Sequence, residues 1–190
     1  MKKSVFFSAM VLLFLCSCSS KQSEPTNNNQ QITQTQPQKQ EEYDVSCKSQ
    51  GEVGSLTYIV TSVKDKDNPT IPKTYYGGAV VEIGNQACQY KTNIKTIVIP
   101  DNITVIGSYA FTGCRYMTSI TLPKTLKKLG EGAFNSCSSL KTIVFEGTKS
   151  QWEAIVKPLD GYPWHTSSGL QKVQCSDGDI AYDGGVHFGN

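Results

Sequence analysis

Residues 103–123, ITVIGSYAFTGCRYMTSITLP, align without insertion with residues 80–100, VVEIGNQACQYKTNIKTIVIP, and with residues 126–146, LKKLGEGAFNSCSSLKTIVFE. Each copy starts 23 residues after the last. Gly84, Gly107 and Gly130 coincide, as do Ala87, Ala110 and Ala133, then Ile97, Ile120 and Ile143, then Ile99, Leu122 and Phe145. Self-similarity at a fixed period is the signature of stacked coils, each burying its apolar side against its neighbours.

One coil can be read from the second copy. Ile120 and Leu122 are two residues apart and share one face of an extended strand, whereas Ser119 and Thr121 point the other way. The apolar pair belongs to the interior. The outward set then comprises Thr96, Val98, Ser119, Thr121, Thr142 and Val144, a flat strip of small, β-branched and hydroxyl side chains that is the candidate binding surface. Such residues are also simply good strand formers, so the pattern alone does not choose between a site and a plain sheet exterior. Pro100 and Pro123 lack an N–H and suit strand ends. A second apolar pair, Ile103 with Ile106, aligns with Val80 and Ile83 and with Leu126 and Leu129, and is expected to fill the interior from the opposite wall. Gly84, Gly107 and Gly130 follow this pair, implying positive φ or a close backbone approach. Next comes a short helical or 3₁₀ turn, with Ala110 and Phe111, then Ala133 and Phe134, packed between the walls. Cys88 replaces the phenylalanine in the first copy, so that coil is either less well filled or shielded by the segment before it.

The pattern I-G-x-x-A-F-x-x-C-x-x-L-x-x-I-x-I-P resembles the BspA-like bacterial leucine-rich repeats over residues 80–146. VQCSDGDI (173–180) and SQWEAI (150–155) are similar to the terminal cap and tryptophan helix often found on such arrays. The resemblance implies an α/β fold, a leucine-rich-repeat right-handed solenoid or short horseshoe with a parallel β-sheet along one face. The array comprises about three coils of 23 residues between irregular caps, the C-terminal one over 147–190. Ser150-Gln151-Trp152-Glu153 has capping-box spacing, predicting a helix from Gln151 to before Pro158, with Trp152 over the last coil. At the other end, 56–63 and 75–83 read as strands or degenerate coils, and 64–74 only as a polar, proline-containing loop.

The flanks differ in kind. Lys2 and Lys3 precede an apolar run of 11 residues, Val5 to Leu15, too short for a membrane span of about 20 and suited to a signal peptide over 1–17. Leu15-Cys16-Ser17-Cys18 resembles a bacterial lipobox in which Cys18 takes the lipid; ordinary secretion with two cysteines near the cut is the alternative. Residues 18–43 are a polar linker whose only aliphatic side chain is Ile32, unable to bury a core. As a flexible coil it would span roughly 25–30 Å. A single domain is expected over 44–190. Without Lys2 and Lys3 the charges balance at 16 of each sign, Arg115 is the sole arginine, and no basic stripe is present, which argues against nucleic acid as a partner.

Five cysteines follow the linker, Cys47, Cys88, Cys114, Cys137 and Cys175, so at least one lacks an intramolecular cysteine partner. Cys114 and Cys137 stack one period apart, within disulfide reach, but their parallel side chains favour two buried thiols. No zinc spacing is found in the folded part, whose histidines are His165 and His187. A Cys175/His187 nucleophile pair conflicts with an inward Cys175, and Asp177-Gly178-Asp179 reads as a turn more readily than as a calcium site. No metal or cofactor is expected, nor an enzyme. Tyr109, Arg115, Tyr116 and Trp164 are further candidate anchors.

The expectation is therefore a non-catalytic, lipid-anchored module of a bacterial cell envelope, on the outer membrane because Ser19 follows Cys18. The resemblance implies adhesion, with a host matrix protein, an envelope protein or a glycan as partner. The alternative is a structural or assembly subunit of an envelope complex.

Overall fold

The computed structural model describes residues 43–51, 55–156 and 169–182 of the 190. The signal segment, Cys18, the polar linker before Tyr43, Trp164, His165 and His187 lie outside the described residues. The fold is a solenoid with two β-walls. One wall holds β1 (Val45–Gln50), β2 (Thr57–Val63), β4 (Gly78–Ile83), β6 (Val105–Ile106) and β8 (Lys128–Leu129) in that order, with β3 (Thr74–Tyr75) paired to β4. The other runs β5 (Thr96–Val98), β7 (Ser119–Leu122), β9 (Thr142–Phe145), β10 (Lys172–Cys175) and β11 (Gly178–Ala181). Parallel pairing links β2, β4, β6 and β8, and likewise β5, β7, β9 and β10. A sheet was expected along one face only; the short second apolar pair of each coil also hydrogen-bonds to its neighbours, which builds the opposite wall.

The repeat positions set the core. Val80, Ile83, Ile103, Ile106, Leu126 and Leu129 are buried from one wall, and Ile97, Ile99, Ile120, Leu122, Ile143 and Phe145 from the other. Between them Phe111 and Phe134 stack with ring centroids 5.7 Å apart. Cys88, at the phenylalanine position, is fully buried, and the preceding segment closes over that coil, Val63 N–H donating to the Ala87 carbonyl at 3.1 Å.

Gly84, Gly107 and Gly130 serve close approach, with no positive φ at any of them. A Cβ on Gly107 would lie 2.6 Å from the Asn85 nitrogen, and one on Gly130 would lie 2.6 Å from the Ser108 Cα. The left-handed conformation recurs elsewhere, at Gln86, Tyr109 and Gly132 and again at Tyr90, Gly113 and Ser136, each set on the 23-residue period. Such a residue costs roughly 1–2 kcal/mol unless it is glycine. The tyrosines use the position to lie across the next coil: the Tyr90 ring covers Gly113 and the Tyr109 ring covers Gly132, where a Cβ would meet ring carbons.

Both ends depart from expectation. β1 pairs antiparallel with β2, an unforeseen strand shielding the first coil. At the far end α1 spans Lys149–Val156, two residues earlier than predicted. The capping box is Thr148-x-x-Gln151: Gln151 N–H donates to Thr148 Oγ1 at 3.3 Å, and Thr148 N–H to Gln151 Oε1 at 2.9 Å. Thr148 stands one period after Thr125, so the repeat itself delivers the cap. Trp152 is fully buried 5.5 Å from the Phe145 ring, with its indole N–H on Tyr182 Oη at 3.1 Å. β10 and β11 then extend the second wall from the three strands of the repeats to five.

Candidate binding surface

The six outward residues form two rows across the second wall. Thr96, Ser119 and Thr142 are in register, as are Val98, Thr121 and Val144. β10 continues the rows with Lys172 beside Thr142 and Gln174 beside Val144, and β11 adds Ala181 and Asp179. Val98 is 63% exposed, Thr96 is exposed, and the other four predicted residues are half-buried by their neighbours. Five strands at about 4.8 Å spacing make this strip about 19 Å wide, against the 10–15 Å that three coils alone would give. Its rigidity comes from below, since β7, β9 and β10 each bury two side chains, Ile120 with Leu122, Ile143 with Phe145 and Val173 with Cys175, and Ile97 of β5 is buried beside them.

The edge of the strip is built by the loop that sequence reading could not place. Asp67 carbonyl accepts from Lys95 N–H at 2.9 Å, Lys95 carbonyl from Thr118 N–H at 2.8 Å, Thr118 carbonyl from Lys141 N–H at 3.0 Å, and Lys141 carbonyl from Gln171 N–H at 2.9 Å. Residues 65–68 thus act as a further rung without apolar alternation. Side chains secure it: Asp65 Oδ1 accepts from Asn93 N–H at 2.8 Å, Asp65 Oδ2 from Asn93 Nδ2 at 3.3 Å, and Lys95 Nζ lies 2.9 Å from Asp67 Oδ2. Asp44 anchors the same loop through Lys66 and Thr70 N–H, and these donors hold its carboxyl below the usual range. Between this loop and the coils lies a groove of about 650 Å³, floored by Asn93, Lys95, Thr118 and Ser139 and flanked by Tyr116.

The other candidates separate under the geometry. Tyr116 is 62% exposed at the groove, and Arg115 is exposed beside it. Tyr109 is not a free anchor, because its ring lies over Gly132 and its hydroxyl donates to Glu131 Oε1 at 3.4 Å. Tyr90, 64% exposed, was missed; it carries no repeating residue type that would have singled it out.

None of the five described cysteines is in a disulfide. Cys114 and Cys137 are fully buried, and each thiol donates to the carbonyl of the coil before, Cys114 to Cys88 at 3.0 Å and Cys137 to Phe111 at 3.1 Å. Burial pushes the Cys114 thiol up to about 12, and Cys88 and Cys137 well above the ordinary value. Such thiols are poor nucleophiles, since the reactive form is the thiolate. Cys175 is buried on the inward side of β10. Of Asp177-Gly178-Asp179 only Asp177 lies in the turn, Gly178 and Asp179 belonging to β11, and both carboxylates are in use, Asp177 Oδ1 accepting from Lys149 N–H at 2.8 Å at the start of α1 and Asp179 Oδ2 pairing with Lys172 at 2.8 Å. Among the described residues no group of three or more His, Cys, Asp or Glu is placed to hold a metal.

Residues 81–155 match the family described as BspA type leucine rich repeat region, a profile of six copies. Among solved structures, a leucine rich repeat protein of T. pallidum is similar at 18% identity and a TM-score of 0.42, over 56% of this chain and 63% of that one. A leucine-rich repeat protein from Bacteroides ovatus is similar at 18% identity and a TM-score of 0.36, over 69% of this chain and 45% of that one. The chain therefore spans less than two thirds of either. No curated protein matches. With its coil period, two parallel walls and repeat match, the chain is a leucine-rich-repeat solenoid.

Proposed function

We propose that this chain is a non-catalytic protein-binding module of a bacterial cell envelope, acting in adhesion through the outer face of its second wall and tethered by lipid on Cys18. The observation that carries the reading is the register of the six outward residues, which places a flat, small-residue strip on a rigid, fully packed base. A strip about 19 Å wide and about 13 Å along the strands offers roughly 250 Å². A stable interface takes about 800 Å² per partner, so the strip is the centre of a larger footprint that includes the turns and the groove beside it.

The test is capture of host matrix proteins and of envelope extract by the full chain, compared with Thr121→Lys and Val144→Lys. A lysine at the middle of the strip should abolish capture while leaving the thermal midpoint unchanged; equal capture by the variants overturns the assignment of this face. The small strip also favours a second reading, an assembly subunit docked to an envelope partner. A non-permeant label on intact cells separates the two, since an adhesin is labelled and a periplasmic subunit is not. For the tether, Cys18→Ser should move the protein out of the membrane fraction.

A further inference from the structure

The groove beside Tyr116 has a chemistry different from that of the strip, and we propose that it binds a neutral saccharide. This goes beyond the protein-binding reading of the sheet face. Its volume, about 650 Å³, lies in the range of small-ligand sites and is ample for a short oligosaccharide. Sugars present C–H faces to aromatic rings and hydroxyls to hydrogen-bonding groups, and the groove offers both. The Tyr116 ring is 62% exposed, and the hydroxyls of Thr92 and Ser139 at the same groove make no hydrogen bond among the described residues. Asp65 accepts two N–H donors from Asn93, leaving carboxylate lone pairs for a sugar hydroxyl.

The ion pairs of the groove disfavour an anionic ligand. Asp65 and Asp67 are balanced by Lys66 and Lys95 along the same wall. Lys95 is held by Asp67 at 2.9 Å and Lys66 by Asp44 at 2.5 Å, so an anionic ligand gains an ion pair at either lysine only by breaking one already made. An extended peptide adding to the sheet here is disfavoured too, because the Lys95 and Thr118 backbone N–H and carbonyl groups are spent in the ladder from Asp67 to Lys141. The same ladder fixes the groove walls before any ligand arrives, which removes an ordering cost from binding.

The test is titration of the full chain with cellotriose, maltotriose and triacetylchitotriose, with triglutamate and trilysine as charged comparators, by isothermal calorimetry. At least one neutral trisaccharide should bind with a Kd of about 1 mM or tighter, and neither peptide should compete. Tyr116→Ala should weaken that binding at least about tenfold, Tyr116→Phe by less than about threefold, and Lys128→Ala on the opposite wall not at all. Tyr116 is exposed, so its variants should keep the parent thermal midpoint. Failure of all three sugars to bind at about 10 mM, tighter binding of either peptide, or unchanged affinity in Tyr116→Ala overturns the proposal. Because the readout is a sugar titration and not protein capture, this site and the sheet face fail or stand separately.

Discussion

Replacing Gly107 by alanine tests whether glycine recurs in this solenoid for closeness or for backbone freedom. The added Cβ would sit 2.6 Å from the Asn85 nitrogen and 2.8 Å from the Gly84 carbonyl carbon, both main chain of the preceding coil. Ordinary contact begins at 3.4 Å, so the two coils must separate by about 0.8 Å at this point. Two hydrogen bonds cross the same gap, Gly107 N–H to Ile83 carbonyl at 2.8 Å and Ser108 N–H to Asn85 Oδ1 at 2.9 Å. A 0.8 Å separation takes both to about 3.6 Å or more, beyond useful bonding. Two lost bonds at about 1 kcal/mol each and about 1–3 kcal/mol of overpacking give about 3–5 kcal/mol. For a domain of this size that lowers the melting point by about 10 °C. Gly77 is the control: its φ of +83° is strained for alanine, but nothing lies within 4 Å, so Gly77→Ala should cost only about 1–2 kcal/mol. Gly84→Ala, meeting Val60 O at 2.8 Å and the deformable Ile59 side chain at 3.1 Å, should fall between. Urea unfolding followed by circular dichroism measures all three. A Gly107→Ala cost no larger than that of Gly77→Ala would refute the close-approach argument.

The buried thiols make stability fall with alkali. Cys114 titrates at about 12 when folded and near 9 when unfolded, so between those values the unfolded chain loses its proton first and the folded state is progressively disfavoured, by up to about 1.4 kcal/mol per pH unit. Below pH 9 this contribution is complete, and a Cys114→Ala variant should show a shallower decline above it in denaturant titrations. Alkylation after denaturation without reductant should modify both Cys114 and Cys137; failure to label either would contradict the free thiols. At the C-terminal helix, Thr148→Ala should cost about 1 kcal/mol and Ser150→Ala close to nothing, as read by thermal unfolding; the reverse order would restore the capping box two residues later.

What the sequence revealed follows from what repeats. Inward residues such as Ile120, Leu122 and Phe134 are legible because burial demands the same side-chain type in every coil. Gly107 is legible for the same reason, as only glycine satisfies the approach. The left-handed positions are hidden, because Gln86, Tyr109 and Gly132 share a backbone conformation without sharing chemistry. The loop around Asp65 and Asp67 stayed unplaced since polar bonds to Asn93 and Lys95 hold it, and these leave no hydrophobic period. The groove escaped notice with it. At the helix, Thr148-x-x-Gln151 and Ser150-x-x-Glu153 both satisfy the capping pattern, and sequence spacing alone could not rank them; the repeat position shared with Thr125 was the discriminating clue. β1 alternates Val45 and Cys47 inward over too short a stretch to stand out.

The tyrosines that lie across the next coil's glycines give the array a fixed order. Tyr90 needs Gly113 after it, and Tyr109 needs Gly132. A tandem duplication of the second coil would set a second Tyr109 where Gly132 now stands, putting a Cβ against the first ring. The coils are thus not interchangeable units: copying the first or the second requires a compensating glycine at the new junction, whereas the third, with Gly132 and Ser136 at these positions, does not.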